Sequence, residues 1–269
     1  MKKLAVFGNP IAHSLSPSIH HMFAQSCGET ISYEKIECAK GNFAQALTAF
    51  FADPEAIGCN ITVPFKQEAF ELTQSNCDRY AMQARAVNTL LQADILRGFN
   101  TDGLGLVSDL VAQIGSLQGA SVLLIGAGGA ARGVIKPLLD TGVSELHISN
   151  RTFEKAKRLS DALGISQVKA MTGDELASQQ YDIIVNCTSA SLTGELPELG
   201  TLKIGQSQLA YDMVYGKQAT PFMRHALSNG AAKVSDGLGM LIGQAAEAFY
   251  IWTGKRPAIT EVQAALRDI

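Results

Sequence analysis

Three short segments of this 269-residue chain carry side chains suited to chemistry outside any cofactor motif. Asn60-Ile61-Thr62-Val63-Pro64-Phe65-Lys66 puts polar groups at the end of an apolar run and a lysine in the first turn of the helix expected next. A cation there faces the positive end of the helix, a poor place for surface filling and a useful one for a group that moves a proton. Asn100-Thr101-Asp102-Gly103 sets a carboxylate where another helix should start, and Ser14-Leu15-Ser16-Pro17 sets two hydroxyls in a turn that opens a third. Each group also has a plain structural reading. Ser16 can be an N-cap, Asp102 can cap its helix, and Lys66 can be an ordinary surface lysine.

A fourth segment binds rather than reacts. Gly126-x-Gly128-x-x-Ala131 lies between the most apolar run of the chain, Ser121–Ile125, and a predicted helix. The first glycine permits a tight turn, the second lets the backbone approach a pyrophosphate, and Ala131 is small enough for close helix–strand packing. Gly129 and Ala130 open the helix, whose unpaired N–H groups attract phosphate. About 20 residues further on, an NAD site would place Asp or Glu. Here Ser149-Asn150-Arg151-Thr152 stands instead, with Lys155 behind it. Arg151 offers a planar charged fork suited to a 2′-phosphate, so the expected cofactor is NADP.

These groups need elements to hold them. Short apolar runs alternate with helical segments: strand Leu4–Phe7, helix from Ser16 to Gly28, strand Tyr33–Glu37, helix Phe43–Phe51, strand Ile57–Val63, then a helix from about Phe65 to Leu72. A strand pair, Ala86–Gln92 and Ile95–Phe99, precedes a helix from Asn100 to about Ile114. Strand Ser121–Ile125, a helix to Leu139, strand Glu145–Ser149, helix Glu154–Leu163, and strands Asp182–Asn186 and Leu209–Val214 continue the pattern, and a last helix runs from Gly239 to Gly254. Such alternation predicts an α/β fold in two domains. Residues 1–103, completed by 238–269, form an α/β substrate domain, and 104–237 form a Rossmann-type doubly wound parallel sheet that binds the dinucleotide.

Composition limits the partners. Lys plus Arg is 22 against 25 Asp plus Glu, a net charge of -3, so no field of one sign points to nucleic acid or an anionic membrane. No apolar stretch approaches a membrane span, and the run after Met1-Lys2-Lys3 ends at Gly8-Asn9-Pro10, too soon for a signal peptide. The five cysteines, Cys27, Cys38, Cys59, Cys77 and Cys187, lack metal or disulfide spacing and fit a reducing, cytoplasmic setting. His13, His20, His21, His147 and His225 show no metal spacing and read as structural, as Tyr211 and Trp252 read as core.

In order along the chain, Ser14–Pro17, Asn60–Lys66, Ala86-Val87-Asn88-Thr89, Asn100–Gly103, Gly126–Gly133, Asn150–Thr152, Asp212-Met213-Val214-Tyr215 and Asp236–Gln244 resemble the motifs of the NADP-dependent shikimate dehydrogenase family. The resemblance implies reversible reduction of 3-dehydroshikimate to shikimate, on the pathway to chorismate and the aromatic amino acids. It implies Lys66 and Asp102 as the catalytic pair. It places Ser14, Ser16 and Tyr215 on the substrate carboxylate, and Thr62, Asn88 and Gln244 on the ring hydroxyls or the pocket wall. The cofactor set it implies is Gly126, Gly128, Gly129, Ala130, Ala131, Asn150, Arg151, Thr152, Lys155, Thr188, Met213 and Gly237, with no metal. The expected partner is the small-molecule substrate, in a monomer or homodimer. Within Asn186–Ser191, Cys187 and Ser191 depart from the small residue and the glycine the family leads one to expect. An NAD-linked quinate/shikimate enzyme and a non-catalytic ligand sensor are the rival readings; Arg151 opposes the first, and the retained Lys66 and Asp102 oppose the second.

Overall fold

The computed structural model describes residues 1–267. The chain divides into two compact units: Met1–Gly105 joined by the segment from Ile242 onward, and Leu106–Leu241. The first contains β1 (Lys2–Gly8), α1 (Ser16–Cys27), β2 (Ile31–Glu37), α2 (Phe43–Phe51), β3 (Ala56–Ile61), α3 (Lys66–Thr73), α4 (Arg79–Ala84), β4 (Thr89–Gln92) and β5 (Leu96–Phe99). Its sheet runs β2-β1-β3-β4-β5. The pairs among β1, β2 and β3 are parallel, because helices connect those strands. The short link from β4 to β5 leaves room only for a hairpin, so β4 adds antiparallel to β3 and β5 antiparallel to β4. Ala5, Phe7, Cys59, Ile61 and Leu90 share a core with Phe43, Leu47 and Phe50 of α2 and Phe65, Ala69 and Phe70 around α3.

Helix α5 (Asp102–Ile114) carries the chain into the second unit. There follow β6 (Ser121–Ile125), α6 (Gly129–Asp140), β7 (Glu145–Ser149), α7 (Phe153–Leu163), β8 (Val168–Met171), α8 (Gly173–Leu176), β9 (Ile183–Asn186), β10 (Leu209–Asp212), α9 (Pro221–Ser228) and β11 (Val234–Ser235). The sheet order β11-β10-β9-β6-β7-β8 is all parallel. In chain order this is the doubly wound 3-2-1-4-5-6 arrangement, whose reversal point lies between β6 and β9. The unbroken apolar run of β6 follows from burial on both faces. Val122 and Leu124 enter one core with Ile183, Val185 and Tyr211, while Leu123 and Ile125 enter another with Ile184, Ala210 and Phe222.

Helix α10 (Leu238–Thr253) leads back to the first unit, where α11 (Ile259–Arg267) follows it. The helix ending at Gly254 is therefore not the last one. The start of α1 also differs from the sequence reading. Leu15, not Ser16, is the N-cap residue, and no side chain caps the helix. The Ser14 hydroxyl accepts from the Ser16 N–H (3.3 Å), a local serine turn that moves the helix start by one residue. Among the described residues no helix is long and apolar enough to cross a membrane.

Candidate active site

The first unit brings Lys66 and Asp102 together. Lys66 is the first residue of α3 and Asp102 the first of α5, and Lys66 Nζ donates to Asp102 Oδ2 at 2.6 Å. The capping alternative for Asp102 fails on a detail. Asp102 is already the first residue of α5, its own N–H donates to Asn100 Oδ1 (3.1 Å), and among the described residues its carboxylate accepts from no backbone N–H of the helix. The carboxylate is left to Lys66 and to Asn88, whose Nδ2 donates to Asp102 Oδ1 at 2.8 Å. Asn88 Nδ2 also reaches Thr101 Oγ1 (2.9 Å) and Gln244 Oε1 (3.3 Å). Buried Asn100 holds this corner in place by donating to the Ala86 carbonyl (2.9 Å).

The remaining residues expected to face the substrate divide between the units. Ser14, Ser16 and Thr62 belong to the first. Ser16 is buried, and the Thr62 N–H is tied to the Phe7 carbonyl (2.9 Å) at the end of β1. Tyr215 lies in the second unit, on the loop after β10, and is 40% exposed.

In the second unit the turn after β6 has the geometry its sequence requires. Gly126 sits at φ +113°, where a Cβ would press on Thr188 Cγ2 at 3.1 Å, so a side chain is strained there on two counts. Gly128 and Gly129 face open space, the kind of backbone cradle a pyrophosphate needs, while Ala131 is fully buried under β6. Asn150 Oδ1 accepts from the Ala127 N–H (3.2 Å) and its Nδ2 donates to the Thr152 carbonyl (2.9 Å), locking one turn against the other. A cleft of about 470 Å³ opens beside them, lined by Gly126, Asn150, Arg151, Thr152, Lys155, Thr188 and others. Arg151 and Lys155 are exposed, and neither side chain makes an ion pair among the described residues. Two unpaired cations on an open turn fit a phosphate group. The residues present therefore fit NADP.

Thr188, Met213 and Gly237 are held by a network the sequence reading did not contain. Fully buried Asp212 accepts from Asn186 Nδ2 (3.1 Å), the Val214 N–H (3.1 Å), Ser191 Oγ (2.6 Å) and Thr220 Oγ1 (2.6 Å). Asn186 Oδ1 in turn accepts from Thr188 Oγ1 (2.7 Å). Ser191, the departure from the expected glycine, thus pins its loop to Asp212. Burial pushes the Cys187 thiol above its ordinary range, and the Asp212 carboxylate adds to this, which favours the protonated thiol. A Cβ on Gly237 would sit 2.1 Å from the Met213 carbonyl oxygen, which explains the glycine. Glu195 and Glu198 also line the cleft, on a segment without periodic pattern that gave no signal. Among the described residues no cluster of His, Cys, Asp or Glu could hold a metal.

Three family models match: the shikimate dehydrogenase substrate binding domain over residues 6–90, shikimate / quinate 5-dehydrogenase over 109–194, and the shikimate 5'-dehydrogenase C-terminal domain over 237–267. A shikimate dehydrogenase (NADP(+)) of Alteromonas mediterranea is 50% identical over 272 residues, covering 100% of this chain and 97% of the relative. The chain belongs to the shikimate dehydrogenase family. An enzyme of the same name from Vibrio campbellii is 48% identical, covering 98% of this chain and 96% of its own. Among solved structures, an Ael1 enzyme from Pseudomonas putida aligns with a TM-score of 0.93 at 42% identity, covering 99% of this chain and 98% of that one. Shikimate 5-dehydrogenase from Thermus thermophilus, solved in complex with NADP(H) and shikimate, aligns with a TM-score of 0.86 at 33% identity, covering 100% and 99%. Family and fold are those the sequence motifs led one to expect.

Proposed function

We propose that the chain reduces 3-dehydroshikimate to shikimate reversibly with NADPH, and that Lys66 and Asp102 manage the proton. The observation that carries the residue assignment is the 2.6 Å contact between Lys66 Nζ and Asp102 Oδ2, with the carboxylate's other oxygen held by Asn88. When bound, the dihydronicotinamide supplies the hydride that reaches the carbonyl carbon. Lys66 Nζ hydrogen-bonds the carbonyl oxygen, stabilises the negative charge that develops on it, and delivers the proton. Asp102 balances the ammonium charge and fixes where Nζ points. In the oxidation direction the same nitrogen takes the hydroxyl proton.

The first unit is the substrate and proton-handling part, and the second the dinucleotide part. Ser14, Ser16 and Tyr215 hold the substrate carboxylate, while Thr62, Asn88 and Gln244 bind its ring hydroxyls or shape the pocket. The N-terminal turn of α6, with Gly126, Gly128, Gly129, Ala130 and Ala131, holds the pyrophosphate. Arg151 and Lys155 hold the 2′-phosphate, the loop of Thr188 lies near the nicotinamide, and Asn150, Thr152, Met213 and Gly237 complete the cofactor site. A reducing, cytoplasmic setting fits five free cysteines. Replacement of Lys66 by alanine is expected to lower kcat by about 10²–10⁴ with KM much less affected. A fall in kcat below about tenfold would remove Lys66 from this role.

A further inference from the structure

Behind the Lys66–Asp102 pair, a line of buried polar side chains runs inward through the first unit. Tyr33 on β2, Asn60 on β3, Thr89 on β4 and Asn88 just before it are each 0–7% exposed. Their hydrogen bonds point one way. Burial raises the Tyr33 phenol well above its ordinary value, more than the Ser16 hydroxyl offsets, so Tyr33 keeps its proton and donates to Asn60 Oδ1 at 2.7 Å. The Asn60 oxygen is then committed, and its Nδ2 turns to Thr89 Oγ1 (3.1 Å) and the Asn88 carbonyl (3.2 Å). Thr89, having accepted there, gives its own proton to Asn88 Oδ1 (3.0 Å), where the Thr101 N–H also donates (2.9 Å). With its oxygen doubly held, Asn88 presents Nδ2 to Asp102 Oδ1. A flipped Asn88 would set its oxygen against the carboxylate and its amino group against the Thr101 N–H, both costly in a dry interior.

We propose that Tyr33, Asn60 and Thr89 are positioning residues, a directional hydrogen-bond relay that fixes the Asn88 amide and, through it, the Asp102 carboxylate beside Lys66. The proposal rests on the assignment of Lys66 and Asp102 to proton handling. Removing the Thr89 hydroxyl with Thr89→Val leaves the Asn60 amino group and the Asn88 oxygen each short of a partner. The Asn88 oxygen then keeps the Thr101 N–H but loses its second donor, so the amide is held less tightly against Asp102.

The test is steady-state kinetics of the full chain for Thr89→Val, Thr89→Ser, Asp102→Asn and the double variant Asp102→Asn/Thr89→Val. Thr89→Val is expected to lower kcat about tenfold while KM for shikimate moves by less than about threefold. Thr89→Ser, which keeps the hydroxyl, is expected to recover most of the rate. In the Asp102→Asn background Thr89→Val is expected to cost nothing further, because the relay acts through that carboxylate. A purely structural Thr89 would instead slow both backgrounds equally. Equal losses in Thr89→Ser and Thr89→Val, or full kcat in Thr89→Val beside a slow Asp102→Asn, overturn the relay alone. Full activity in Asp102→Asn overturns the catalytic pair and the relay with it. Should Thr89→Val fail to fold, Tyr33→Phe tests the same line from its other end. It loses only a hydroxyl, keeps its stack on His20 (centroids 4.6 Å apart), and is expected to lower kcat with KM unchanged.

Discussion

His20 shows how far a buried group departs from its ordinary chemistry. Its ring is fully buried, stacked on Tyr33 and tilted against Trp252, and neither nitrogen makes a hydrogen bond of normal geometry among the described residues. Burial lowers its pKa to about 3, only partly opposed by the Asn60 side chain close by. The folded protein thus keeps His20 neutral, whereas the unfolded chain takes up a proton below about 6.5. Stability is unaffected above that value and falls as pH drops from about 6.5 towards 3, by about 2 kcal/mol between pH 8 and pH 5. Chemical denaturation of the parent and of His20→Phe at those two pH values checks this: the variant should lose distinctly less stability on acidification. An identical loss in both would assign the effect elsewhere. That His20 and His21 do not share one environment follows from their adjacency on α1, since consecutive helical residues point to different faces; the structure buries His20 and exposes His21. Its lack of a hydrogen-bond partner was beyond sequence reasoning, because it depends on aromatic neighbours from β2 and α10.

At the scale of elements, the turns after β6 and β7 carry the cofactor argument. Arg151→Ala is expected to lower kcat/KM for NADP⁺ by about 10–100-fold, the range of one charge-assisted phosphate contact, and to leave NAD⁺ almost unchanged. Equal losses with both cofactors would mean that Arg151 shapes the turn and does not read the 2′-phosphate. Gly126→Ala is expected to cost about 1–3 kcal/mol in thermal or denaturant unfolding, from its positive φ and the contact with Thr188. Unchanged stability would show that the turn can relax. These turns were legible because fixed glycine spacing follows a strand so apolar that it had to be buried on both faces. Short elements were not. Strand β8 and helix α8 span four residues each, too few for any period to show. Helix α9 did leave a signal, Thr220 as N-cap before Pro221, that the apolar pattern alone passes over. The carboxylates of Glu195 and Glu198 in the cofactor cleft had none.

For the whole molecule, the chain passes between its two units twice, through α5 and α10. Sequence placed those passages near 103 and 238, and the units change at Gly105 and Ile242. A few residues separate the two because a helix crossing a boundary has no composition break to mark it. The groups assigned to substrate and proton were visible as isolated motifs, Asn60–Lys66 and Asn100–Gly103, but not as one constellation. The 2.6 Å contact joins residues 36 positions apart, and only the fold brings α3 and α5 to it. The Asp212 network, likewise, was hidden because two of its donors, Asn186 and Ser191, come from β9 and the loop after it, 26 and 21 positions before Asp212.

The most direct test of the central claim is to follow nicotinamide absorbance while purified parent and Lys66→Ala oxidise shikimate with NADP⁺, with quinate and NAD⁺ as alternatives. The parent should turn over shikimate with NADP⁺ far faster than any other pairing, and Lys66→Ala should lose that turnover while still binding shikimate and NADP⁺. A parent that prefers NAD⁺ or quinate, or a Lys66→Ala variant that keeps the parent's rate, would contradict the account.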